Sequence, residues 1–151
     1  MDRIILHIDV NNAFLSWTAV YMLKNGYKYD IRDRYAIIAG DETERKGIVL
    51  AKSNPCKRKG VVTAEPIYSA RRKCPYLEIY KPNFNVYKYF SDKMYEYLCK
   101  YTDIIERYSI DECFLDYTGS LSLFGDPIKI AYKIKDDIYN FIKKNGISAT
   151  D

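Results

Sequence analysis

The chain has 151 residues, 48% of them hydrophobic, and a net charge of +4. That length and hydrophobic share support one compact domain, or one with an insertion, and exclude a disordered chain. No apolar run approaches the roughly 18 residues a membrane span needs, and Asp9 with Asn11–Asn12 breaks up what would otherwise pass for a signal peptide.

Arg3 to Asp9 reads as a first strand, its apolar run that of a strand buried on both faces. His7, the one histidine, is expected to be a satisfied, half-buried residue, because no serine or cysteine nucleophile is paired with it in a motif. Ala13 to Lys24 has helical spacing of Phe14, Trp17, Val20 and Tyr21, with Asn25-Gly26 as the stop. Tyr27 to Arg34 is a polar connection. Tyr35–Ala39 and Gly47–Ala51 are strands, joined by a charged loop through Asp41-Glu42 and Glu44-Arg45-Lys46.

Next comes the most basic segment, where Lys52, Lys57, Arg58, Lys59, Arg71, Arg72 and Lys73 face only Glu65. Such clustered cations suit a polyphosphate or a nucleic-acid backbone. Ile67–Lys73 is a short helix closed by Cys74-Pro75, and Leu77–Tyr80 a short strand. Pro82 precedes a long helix over 85–101 whose apolar stripe, Tyr87, Phe90, Met94, Tyr97, Leu98 and Tyr101, is core rather than a platform for bases. Two strands then flank Ser109–Glu112, and a loop runs from Gly119 to Gly125. Asp126-Pro127 caps a last helix that buries Ile130, Ala131, Ile134, Ile138, Phe141 and Ile142. Ile147–Thr150 begins another strand. The 16 tyrosines are expected mostly in the core or half-buried. Cys56, Cys74, Cys99 and Cys113 form no CxxC pair, which disfavours zinc and fits reduced thiols in a cytosol.

Two stretches carry chemistry. In Tyr108-Ser109-Ile110-Asp111-Glu112-Cys113-Phe114-Leu115-Asp116, adjacent carboxylates sit in a tight turn between strand-forming runs, where the Ser109 hydroxyl suits a bond to the turn backbone. Two acids lifted out of a sheet call for a neutralising cation with oxygen ligands. Asp9 ends the first strand, and a third carboxylate there completes what a two-metal phosphoryl-transfer site needs.

Asp9-Val10-Asn11-Asn12-Ala13-Phe14 together with Ser109-Ile110-Asp111-Glu112 resembles the two metal motifs of the Y-family, or translesion, DNA polymerases, nearest the bacterial DNA polymerase IV branch. The resemblance runs through the basic segment ending in Lys57-Arg58-Lys59-Gly60 and through Cys74-Pro75, and covers nearly the whole chain in order. It implies an α+β fold: a ferredoxin-like palm at 1–17 and 82–151, with a small α/β fingers subdomain inserted at 18–81. Removing the insertion leaves the order β-α-β-β-α-β. The thumb and little-finger domains of the family would follow Asp151, so the chain reads as a fragment, inactive or weakly active alone.

The implied reaction is template-directed attack of a primer 3′-hydroxyl on a deoxynucleoside triphosphate during damage bypass. Asp9, Asp111 and Glu112 are the implied catalytic carboxylates. They and the Val10 carbonyl are the implied ligands of two Mg²⁺ ions, for which Mn²⁺ substitutes. Phe14 matches the aromatic steric gate against ribonucleotides. The Tyr and Arg that contact the triphosphate in the family are replaced by Asn54 and Lys57, and Lys57 keeps the charge but loses the bidentate fork. Expected partners are primer-template DNA, deoxynucleoside triphosphates and, through regions beyond this chain, a sliding clamp, with no membrane and a cytoplasmic setting. Two rival readings are a nucleotidyl cyclase-type enzyme and a non-catalytic nucleic-acid-binding module that keeps the fold.

Overall fold

The computed structural model describes residues 2–41, 43 and 47–145. The expected strand over 147–150 and part of the charged loop over 41–46 lie outside the described residues. The chain forms two compact units, one from residues up to Val10 and from Tyr87 to Asn145, the other from Asn11 to Val86.

The first unit is built on a three-stranded antiparallel sheet. Its strands are β1 (Ile5–Asp9), β5 (Ile105–Arg107) and β6 (Glu112–Asp116), in the order β1-β6-β5. In chain order the unit runs β1, most of α4 (Phe84–Leu98), β5, β6 and α6 (Pro127–Asn145), which is the ferredoxin-like order through its second helix. Met94 and Leu98 of α4, Ile130 and Ile134 of α6, and Cys113 and Leu115 of β6 share one core, against which Leu6, Ile8 and Ile105 pack. Each fully buried leucine here contributes about 1.5–3 kcal/mol of transfer free energy. Arg107 ties β5 to α4 by donating to Ser91 Oγ at 3.0 Å and Asp92 Oδ1 at 2.8 Å.

One expectation fails on β1. Along it exposed and half-buried residues alternate, so the strand is cored on one face only. An antiparallel sheet can leave one face wet, and period-two alternation sends Ile5, His7 and Asp9 to that open face. The apolar run hid this because Ile5 is apolar but nearly half exposed.

The second unit holds a mixed sheet, β3-β2-β4, from β2 (Ala36–Ala39), β3 (Val49–Lys52) and β4 (Glu78–Tyr80). Here β2 is the strand buried on both faces. Ile37 and Ala39 pack with Cys56, Val61, Ile67 and Ala70, while Ala36 and Ile38 pack with Leu15 and Ala19 of α1 (Ala13–Lys24). α3 (Ile67–Lys73) falls as expected. Helix α2 (Asn54–Arg58) does not, since the basic segment hides it. Ser53 caps α2, its Oγ accepting from the Cys56 N–H at 3.3 Å, with Pro55 in the first turn. Likewise the loop from Gly119 to Gly125 contains a 3₁₀ turn and a short helix, α5 (Leu121–Phe124).

Glu65 closes the segment between α2 and α3. It is a buried carboxylate that accepts from the Val62 N–H at 2.7 Å, Ser69 Oγ at 2.7 Å and Lys73 Nζ at 2.8 Å. Ala64 beside it is held in the left-handed region at φ 71°. Eight of the 16 tyrosines are exposed, against expectation, because a phenol tolerates water at its polar end.

Candidate active site

The Tyr108–Glu112 turn is closed by backbone. The Tyr108 and Ser109 N–H groups donate to the Glu112 carbonyl at 3.1 and 3.3 Å. Val10 N–H donates to the Asp111 carbonyl at 3.0 Å, which fastens the end of β1 to the turn. In the β1–β6 register Asp9 stands opposite Glu112 and His7 opposite Phe114. Asp9, Val10, Asp111 and Glu112, separated by about a hundred positions in sequence, therefore meet at one end of the sheet.

The side chains are held by neighbours not foreseen in the sequence. Ser109 Oγ lies 2.8 Å from Asp111 Oδ1 and 3.1 Å from Glu112 Oε2. Its expected bond to the turn backbone is replaced by these, and its single proton serves two carboxylates. His7 is exposed rather than half-buried, and its Nε2 lies 3.1 Å from Glu112 Oε1. A carboxylate only accepts, so Nε2 must carry the proton. The imidazole stacks on Phe114 with centroids 4.3 Å apart and planes 8° from parallel, and Tyr108 meets Phe114 edge-on at 5.8 Å.

At the other end of β6, opposite Ile5, Asp116 is held below the usual carboxylate range by the Thr118 hydroxyl and N–H, with Arg3 adding to the effect. Burial pushes the Cys113 thiol up, as suits a core residue behind the open face.

The donor set, three carboxylates and a backbone carbonyl, is the hard oxygen set that Mg²⁺ and Mn²⁺ take. Among the described residues no three His, Cys, Asp or Glu side chains are gathered into a metal-ligating cluster. The site fits the ions by chemistry and by backbone placement. Asp111 and Glu112 are meanwhile turned to protein donors.

Phe14, Asn54 and Lys57 belong to the second unit. Phe14 is half-buried in the first turn of α1, packs against the Leu15–Ile38 core and meets Phe84 edge-on at 5.9 Å. Asn12 precedes that turn in the left-handed region at φ 51°, its Nδ2 donating to the Lys52 carbonyl at 2.8 Å. Asn54 and Lys57 are exposed and three residues apart on α2, so they share a face.

The fold is that of the Y-family DNA polymerases. It superposes on a solved insertion ternary complex of Dbh DNA polymerase with a TM-score of 0.76 at 24% identity, over 90% of this chain and 39% of that one. A Y-family Dbh–Dpo4 chimera gives 0.73 at 25% identity, over 90% and 39%. Residues 8–150 match the model of the impB/mucB/samB family, and the chain belongs to that family. It is 49% identical over 151 residues to a DNA polymerase IV of Clostridium acetobutylicum, covering 98% of this chain and 38% of the relative. A DNA polymerase IV of Acetivibrio thermocellus is 40% identical over 141 residues, covering 91% and 33%. The chain thus spans 33–38% of the length of these relatives. No helix among the described residues is long and apolar enough to cross a membrane.

Proposed function

We propose that the chain is the palm and fingers part of a translesion DNA polymerase, which adds deoxynucleotides to a primer 3′-hydroxyl opposite damaged template. The observation that carries this is the meeting of Asp9, Val10, Asp111 and Glu112 at one sheet end, in a family whose relatives are named DNA polymerase IV. The palm comprises residues 1–17 and 82–151 and the fingers 18–81, close to the two compact units, which divide after Val10 and Val86. Cytoplasmic primer-template DNA and deoxynucleoside triphosphates are the substrates.

Asp9, Asp111, Glu112 and the Val10 carbonyl would hold two Mg²⁺ ions. When bound, these lower the pKa of the attacking hydroxyl and neutralise the charge of the in-line displacement. Asp9, Asp111 and Glu112 would each supply an anionic oxygen to these ions. Ser109 and His7 hold the carboxylates in place. Asn54 and Lys57 take the triphosphate, with one point charge where a guanidinium would give a fork. Phe14 is the aromatic gate that rejects the 2′-hydroxyl by a clash.

The test is primer extension by the full-length protein. Asp9→Ala and Asp111→Ala should each lower kcat by about 10²–10³ or more while thermal unfolding is unchanged. Near-normal extension by folded Asp111→Ala sinks the assignment. Wild-type DNA binding without extension favours the non-catalytic module.

A further inference from the structure

The one histidine of the chain is not idle. His7 projects from the open face of β1, two positions before Asp9 and therefore on the same face. It stands opposite Phe114, and the diagonal neighbour of that pair on β6 is Glu112. Diagonal partners across a sheet lie within reach of long side chains, and His7 Nε2 closes on Glu112 Oε1 at 3.1 Å. The other oxygen, Oε2, lies 3.1 Å from Ser109 Oγ. Glu112 is thus gripped from two sides, by a donor on another strand and a donor in its own turn.

His7 cannot easily swing away. Its ring lies flat on Phe114, which is met edge-on by Tyr108 from the same turn. A flat stack fixes the ring plane, and with it the direction in which the Nε2 proton points. A side chain left exposed, yet fixed by a stack and a charge-assisted bond, is poorly explained as packing.

Resting on the proposed function above, we infer that His7 is a positioning residue. Its Nε2–H sets the rotamer of Glu112, so that one lone pair of each carboxylate oxygen stays free for a divalent cation. Outer partners of a ligand govern how well the ligand is presented, and their loss typically weakens metal binding by about 10–100-fold.

Two substitutions separate the donor from the ring. His7→Phe keeps the stack on Phe114 and removes the N–H. His7→Gln removes the ring and retains an N–H near the Nε2 position. Mn²⁺ binding to the 151-residue chain is followed by the electron paramagnetic signal of free Mn²⁺, alongside thermal unfolding. His7→Phe should bind Mn²⁺ about tenfold more weakly than wild type, and His7→Gln within about threefold. In the full-length enzyme His7→Phe should need correspondingly more Mg²⁺ and lose kcat, with KM for the deoxynucleotide unchanged. Equal loss in both variants would show that the ring matters and overturns the inference. So does unchanged Mn²⁺ binding in His7→Phe while Asp111→Ala abolishes it, and that result leaves the polymerase reading standing. Absence of Mn²⁺ binding by the wild-type chain overturns both.

Discussion

Two duties are proposed for the single side chain of Phe14. Its ring is half-buried against the core around Leu15 and Ile38, so part of it is packing. A polymerase must also reject ribonucleotides, and a hydrogen bond cannot do this, because the correct substrate lacks the group. Rejection has to be a clash with a rigid side chain. Phe14→Ala in the full-length enzyme should raise ribonucleotide relative to deoxynucleotide insertion by orders of magnitude, measured by single-nucleotide insertion with matched triphosphates. If both fall together, Phe14 is packing alone. The motif residues Asp9, Asp111 and Glu112 were legible because their types and order are distinctive. The partner of Glu112 was not, since His7 lies 105 positions away and only the β1–β6 register joins them. The Ser109 hydroxyl turns to the acids for a local reason. Backbone groups close the turn by themselves and leave the hydroxyl for the acids.

Among the elements, the segment between α2 and α3 is organised by Glu65. Burial pushes its carboxyl up, but bonds from Lys73, Ser69 and the Val62 N–H outweigh this and hold it below its ordinary value of 4.5. A depressed folded value means stabilisation that is complete above 4.5 and lost as pH falls through the folded value. Glu65→Gln should cost about 1–3 kcal/mol at neutral pH, because Lys73 loses its anion. It should also flatten the acid limb of stability against pH, read by thermal melts from neutral down to acid pH. An unchanged acid limb would show that other carboxylates dominate it. Helices α1 and α3 were legible because each ends at a stop signal, Asn25-Gly26 and Cys74-Pro75. Helices α2 and α5 were not, because five and four residues are too short for any period. The open face of β1 was not, because Ile5 reads as core in one dimension.

For the molecule as a whole, charge is unevenly spread. Residues 52–77 carry seven of the 24 cations against one carboxylate, Glu65, and the net charge of the whole chain is only +4. Phosphate binding should therefore come from this segment and be dominated by counterion release. If about three of these cations meet phosphates, the logarithm of DNA affinity for the 151-residue chain should fall with a slope of about −3 against the logarithm of salt. Filter binding or anisotropy from low to physiological salt measures it. The chain alone should bind weakly and extend primers little, and tight binding that survives high salt would place a grip here that this reading denies. The inserted arrangement was legible as a whole, because the order of strands and helices on either side of the basic segment matches one fold.

The one-sided sheet also separates what a cell can detect as misfolding from what it can detect as lost activity. Leu6, Ile8 and Leu115 face the core, whereas Ile5, His7 and Asp9 face water. A library selected only for protein abundance should tolerate almost any polar residue at Ile5, His7 and Asp9 and few at Leu6 and Ile8. The tolerance would then alternate with period two along β1. The same library selected for growth under DNA damage should reverse the pattern at His7 and Asp9 and leave Ile5 permissive.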